Sequence, residues 1–194
     1  MSSDQTISVL MCGVGGQGIL LASAITARAA LLAGYDVKTN EVHGMAQRGG
    51  SVTSHVRIGD SSSPLIPRAK ADILMAFEPA EAVRNLDYLK REGIVIVNRA
   101  PVKPVTESLQ QTGYDGTEMI EYLGSRCRCI VMDSGELDSE KFLNIAMLGV
   151  AVGTGRLGFD REEILAEIET RVPAKFLEAN RQAFLKGIAM GENR

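Results

Sequence analysis

The sequence predicts an α/β protein, a three-layer sandwich built on a mostly parallel sheet with one antiparallel entry. Three observations predict it. Short apolar runs alternate with helical segments, as in strands joined by crossover helices. The first run, "ISVLMC", ends in a glycine-rich turn that leads straight into an Ala-rich segment. Between the second and third runs stands only "HGMAQRGG". That is too short and too rich in glycine for a crossover helix, which needs about a dozen residues. At most one helical turn fits there, and the next strand is expected to enter antiparallel.

The elements follow in order. Residues 6–12 form a short apolar strand. Residues 17–33 form a helix closed by Gly34, the residue type that turns a chain left-handed. Its alanines leave little bulk, so it should be buried on most sides. Residues 35–42 are the second strand and 44–50 a loop. In 52–58 the apolar Val52, Val56 and Ile58 alternate with Thr53, His55 and Arg57, a half-buried strand. After "SSSPLIP" come a strand at 71–77, a helix at 80–90 begun by Glu78-Pro79, and a strand at 93–98. A helix at 117–123 and a strand at 129–132 follow. The last helices are 139–152, then "REEILAEIETRV" with Asp160 as N-cap and Glu163 in capping-box position, then 175–190 beyond Pro173.

With 194 residues, the chain reads as one domain spanning 1–194. Hydrophobic residues make up 45% and charged residues 23%, the balance of a globular domain. A net charge of −3 and a pI near 5.5 argue against a nucleic-acid partner, which selects for basic patches. The N-terminus lacks a basic start and an apolar centre, and no apolar run reaches the ~20 residues of a membrane span. The expectation is a cytoplasmic protein with no membrane partner. Its three cysteines, Cys12, Cys127 and Cys129, fall short of the four thiolates an iron–sulfur cluster takes. They read as packed thiols.

The turn Gly13-Val14-Gly15-Gly16-Gln17-Gly18 has G-x-G-x-x-G spacing. Glycines let backbone approach a phosphate, and the following helix offers free N–H groups and the positive end of its dipole. The alternative is that Gly15 and Gly18 merely permit close helix packing. A dinucleotide also needs an acid at the end of the second strand. Glu41 stands 23 positions after Gly18, near the required spacing. The missing crossover helix after it argues against a stand-alone NAD(P)-binding protein.

The second loop sets His43, Met45, Gln47 and Arg48 among Gly44, Gly49 and Gly50. Arg48 can fork onto a phosphate or carboxylate, and His43 can carry a proton near neutral pH. Alternatively, Arg48 pairs with Glu41 and His43 only packs. Gln17 can hydrogen-bond a ligand at the helix start or hold the 43–50 loop.

"GVGGQGILLAS" followed by "NEVHGMAQRGGSVTSHVRIG" resembles the gamma-type domain of the 2-oxoacid:ferredoxin oxidoreductases. "ADILMAFEPAEAVRNLDYLKREGIVIVN", "NIAMLGVAVG" and "VPAKFLEANRQAFLKG" extend the resemblance over nearly the whole chain. "HGMAQRGG" is similar to the small beta subunits of the indolepyruvate branch. Gamma subunits for pyruvate, 2-oxoglutarate or branched-chain 2-oxoacids are the alternative. The resemblance implies a Rossmann-like fold and a part in the CoA-dependent oxidative decarboxylation of aryl pyruvates. It implies that thiamine diphosphate, Mg2+ and 4Fe-4S clusters sit on a large alpha subunit, which passes electrons to ferredoxin. This chain would then bind no cofactor alone, carry no catalytic residue and be inactive by itself. Gly13, Gly15, Gly16, Gln17, Gly18, His43, Gly44, Met45, Gln47, Arg48, Gly49 and Gly50 would complete a site for coenzyme A or contact the partner directly. Without its partner, the chain could pair with a second copy of itself. Cys12 has no adjacent His and reads as packed. His55 reads as a polar-face residue, Glu78-Pro79 as a structural turn, and Asn144 as a helix start reaching the same rim.

Overall fold

The computed structural model describes residues 6–44, 49–102 and 113–193, with His43 described by its backbone alone. Strands β1 (Ile7–Val14), β2 (Val37–His43), β3 (Ser51–Ile58), β4 (Ala71–Ala76), β5 (Leu89–Asn98) and β6 (Arg128–Met132) form one mixed sheet in the order β2-β3-β1-β4-β5-β6. β1, β4, β5 and β6 run parallel, and β3 is antiparallel to both of its neighbours. The glycine-rich connection therefore does what its length dictates: β3 turns back from β2 and slots between β2 and β1.

Helices cover both faces. On one lie α1 (Ile19–Leu32), α4 (Leu143–Gly153), α5 (Arg161–Arg171) and α6 (Ala174–Glu192); on the other lie α2 (Pro79–Arg84) and α3 (Thr117–Arg126). Period-two patterning makes two cores. Val9, Met11, Ile73, Met75, Ile94 and Ile96 pack toward α1 and α4. Leu10, Cys12, Leu74, Ala76, Val95 and Val97 pack toward Ala82 and Leu123. Ser54 on β3 donates a 2.7 Å bond to Ser23 on α1, so even the polar atoms between sheet and helix are matched.

Several expectations need correction. The helix expected over 80–90 ends at Arg84, followed by a single tight turn at Leu86–Tyr88. β5 starts at Leu89 because Ala71 pairs with Leu89 while Ile73 pairs with Ile94, a bulge that absorbs the extra residues. Gly93 sits in that bulge, where a Cβ would stand 2.6 Å from Leu89. Asp160 is the N-cap of α5, but its side chain makes no capping bond, so the capping box is not formed. His55 is buried rather than on a polar face. Ile66 N–H donates to its Nδ1 at 3.2 Å, and its ring meets Tyr88 edge-on. The 59–70 connection supplies Ile66 and so covers the side of β3 that alternation had left for solvent. α1 is not buried all round: Leu20, Leu21, Leu31 and Leu32 are exposed along one flank.

Candidate functional site

The carboxyl ends of β1, β2, β4, β5 and β6 and the start of β3 share one rim. Val14 pairs with Ser51, and His43 with Val52. The two glycine loops meet there: Gly15 N–H donates to Gly50 O at 2.9 Å. Gly44 N–H donates to Ser51 O at the same length, closing the second loop at its base. Gly13, Gly15, Gly16, Gln17, Gly18, Gly44, Gly49 and Gly50 thus stand together on this rim, with the backbone of His43. Met45, Gln47 and Arg48, and with Arg48 the expected Glu41 pairing, lie outside the described residues.

The first loop is built around Gln17. Its Oε1 accepts Val14 N–H at 2.7 Å and its Nε2 donates to Phe77 O at 2.8 Å. Gln17 therefore pins the end of β1 to the end of β4. Gly13 makes room for it, since a Cβ there would lie 2.6 Å from Gln17 Oε1 and 2.9 Å from Phe77 Cβ. Gly18, at φ 78°, caps α1 without a side chain, and a Cβ there would meet Asn144 Nδ2 at 2.6 Å. Asn144 reaches the rim as its place at the start of α4 suggests.

The loop spends part of its donor set on itself. The N–H groups of Val14, Gly15 and Gln17 bond Gln17 Oε1, Gly50 O and Val14 O. The first turn of α1 adds N–H groups that have no intrahelical partner, the donor type that suits an anion. A cleft of about 420 Å³ opens beside that turn, lined among others by Gly16, Gly18, Asn98, Ser134, Lys141 and Asn144. Asn98 is buried; its Nδ2 donates toward Phe77 O and Ala100 O. Its Oδ1 has no hydrogen-bond partner. Both oxygens near Nδ2 are acceptors, so the amide cannot profitably flip.

The other face of the rim carries two buried carboxylates that no motif announced. Glu78 caps α2: its Oε2 accepts Glu81 N–H at 2.9 Å, while its Oε1 accepts the Tyr114 hydroxyl at 2.6 Å. Glu81 accepts the Ser51 hydroxyl at 2.6 Å and pairs with Arg84. Glu78-Pro79 is a structural turn with an added task, ordering Tyr114. The signal was present in "FEPAE", an acid before Pro at N1 and another at N3, but nothing local shows that the second acid reaches Ser51.

Burial pushes the Cys12 thiol well above its usual range, and Glu81 and Glu78 add to the effect. Its Sγ–H points to Glu81 O at 3.4 Å. Cys12 is a packed thiol, not a nucleophile. Cys129 is pushed up to about 12, by burial first and then by Cys127. Cys127 and Cys129 are half-buried against the α2–α3 core. Among the described residues no group of three or more His, Cys, Asp or Glu side chains could hold a metal ion. None of their helices is long and apolar enough to cross a membrane.

Among the described residues, dinucleotide geometry is absent. In that fold the second strand lies beside the first and its terminal acid reaches the ribose. Here β3 separates β2 from β1, and Glu41 stands two strand spacings away, about 10 Å.

The chain is similar to proteins named indolepyruvate oxidoreductase subunit IorB. The one from Archaeoglobus fulgidus is 37% identical, over 97% of this chain and 94% of the relative. The one from Pyrococcus horikoshii is 35% identical, over 93% and 94%. The fold matches the 2-oxoglutarate:ferredoxin oxidoreductase from Magnetococcus marinus, solved with 2-oxoglutarate, coenzyme A and succinyl-CoA bound. The TM-score is 0.70 at 20% identity, covering 98% of this chain and 32% of that longer one. Residues 8–190 match the model of the pyruvate ferredoxin/flavodoxin oxidoreductase family, and with the full-length relatives this match makes the chain a member of that family.

Proposed function

We propose that this chain is the small subunit of an indolepyruvate:ferredoxin oxidoreductase, acting as one 194-residue unit that completes a pocket on a larger subunit. The observation that carries this reading is the 2.9 Å bond from Gly15 N–H to Gly50 O. It joins the first glycine loop to the end of the second, Gly49-Gly50. Thiamine diphosphate with Mg2+, when bound by the partner, supplies the carbanion chemistry of decarboxylation, and 4Fe-4S clusters on that subunit carry electrons to ferredoxin. This chain supplies backbone and polar side chains in place of a reactive centre. Cys12 is sealed, and the buried acids are committed to Ser51, Tyr114 and the α2 cap.

Coenzyme A is the ligand we assign to the rim. The start of α1 and Arg48 would take its phosphates. Gly13, Gly15, Gly16, Gln17, Gly18, His43, Gly44, Met45, Gln47, Gly49 and Gly50 would shape the passage. The open cleft beside Gly16 and Gly18, with the unmatched Asn98 Oδ1, supports a ligand that enters alongside the first loop.

Reconstitution tests the proposal. The chain, the large subunit and their mixture are assayed without oxygen for viologen reduction dependent on indolepyruvate and CoA. Activity should require both chains and favour aryl pyruvates over pyruvate and 2-oxoglutarate. Full activity from the lone chain would reject the proposal, and a preference for 2-oxoglutarate would reassign the substrate.

A further inference from the structure

We propose that Glu81 is a positioning residue: through the Ser51 hydroxyl it fixes the Gly50-Ser51 junction against the first glycine loop, and so sets the affinity of the assembled enzyme for coenzyme A. The inference rests on the reading that this rim completes the coenzyme A site.

Glu81 occupies N3 of α2, where a capping box would turn its carboxylate back to the N-cap N–H. Glu78 makes the N-cap half of that box, accepting Glu81 N–H. The Glu81 carboxylate does not complete it: it points to Ser51 and Arg84, with only 4% of its side chain exposed. A carboxylate so buried is costly unless well partnered. One oxygen meets Arg84, whose own side chain is 68% exposed. The other accepts the Ser51 hydroxyl at 2.6 Å, a short charge-assisted bond.

Ser51 is where such a bond matters most. It is the first residue of β3, directly after Gly49 and Gly50. Its carbonyl accepts Gly44 N–H, and the preceding carbonyl accepts Gly15 N–H, both at 2.9 Å. Three consecutive ties thus converge on two residues: to the base of the second loop, to the first loop, and to α2. The glycines around them impose little conformational preference of their own. Glu81 anchors this junction to a helix that Glu78 and Tyr114 hold in place from its other side.

The proposal separates position from fold. Glu81→Gln keeps an oxygen for Ser51, without the charge assistance, and gives up an ion pair to an exposed arginine, which is worth little. Glu81→Ala and Ser51→Ala each remove the tie. In the assembled enzyme both alanine variants should raise KM for CoA about tenfold, ~1.4 kcal/mol. Their kcat and KM for indolepyruvate should stay within about twofold. The double variant should be no worse than either single one, because one bond is lost in all three. Glu81→Gln, which keeps a weaker form of the tie, should stay within about threefold of the parent. Exchange of the Gly15 amide, read without CoA, should quicken about tenfold in both alanine variants and clearly less in Glu81→Gln.

Additive effects, an unchanged KM for CoA in a parent enzyme that saturates with it, or an equal fall in kcat on both substrates would overturn the proposal. If Glu81→Ala does not fold, Ser51→Ala and Glu81→Gln still decide it. A parent complex indifferent to CoA, with Gly15 exchange altered as expected, would sink the coenzyme A reading and leave the Glu81–Ser51 coupling standing.

Discussion

Gly13 and His55 show how single residues are set by what crosses them in space. Gly13 is required because the Gln17 side chain folds back over β1 and occupies the room a Cβ would take. The G-x-G-x-x-G spacing marked the glycine, but Gln17's partner Phe77 lies 60 positions away, beyond any local pattern. His55 is the mirror case. Alternation alone placed it on a wet face, and the 59–70 connection covers that face. Burial lowers its pKa from the ordinary 6.5, and its Nδ1 must stay unprotonated to accept Ile66 N–H. The unfolded chain therefore takes up a proton first. The stability His55 contributes is full above about pH 6.5 and is lost as pH falls toward the lower folded value. Urea unfolding should give a pH-dependent loss of at most about 1.4 kcal/mol per pH unit in that window. In His55→Gln this component should vanish. An identical pH profile for parent and variant would show that His55 does not titrate on unfolding.

At the scale of elements, helices and strands were legible wherever apolar period and punctuation agreed. β1, β3, α1 and the last two helices fall within a few residues of expectation. The short connection also revealed its antiparallel turn, because length alone forbids a crossover. The bulge in β5 and the early end of α2 were not legible, since both are decided by pairing with β4. Nor was the clasp between α4 and α6. Gly149 and Gly153 face Gly187 and Gly191, and a Cβ on any of the four would run into backbone of the opposite helix: Phe184 O, Ile188 O, Ala146 O and Val150 O respectively. The two spacings of four are visible in "GVAVG" and "GIAMG", but their mutual contact is a tertiary fact. Gly187→Ala should push the helices apart. It should cost at least the upper part of the about 1–3 kcal/mol typical of overpacking, measured by thermal unfolding of the isolated chain. Gly124→Ala, with open space around the Cβ in an exposed stretch of α3, should be neutral or slightly stabilising. Equal destabilisation by the two would refute the clasp.

For the whole molecule, sheet order decides function. Inserting β3 between β1 and β2 removes the acid of a dinucleotide site from reach and puts the second glycine loop beside the first. What remains at the rim is a surface of backbone groups and a cleft of about 420 Å³, with Leu20 and Leu21 exposed where α1 begins. The sequence displayed both loops, yet their joining bond depends on β3 pairing with β1, which spacing alone could not place. The direct test is amide hydrogen exchange on the chain alone, then with the large subunit, then with CoA added. The account predicts that exchange slows at residues 13–18 and 43–50 when the partner binds, and slows further with CoA. Formation of the complex with both loops unprotected, and protection instead around Gly155 and Gly158 beside the carboxyl end of α4, would contradict it.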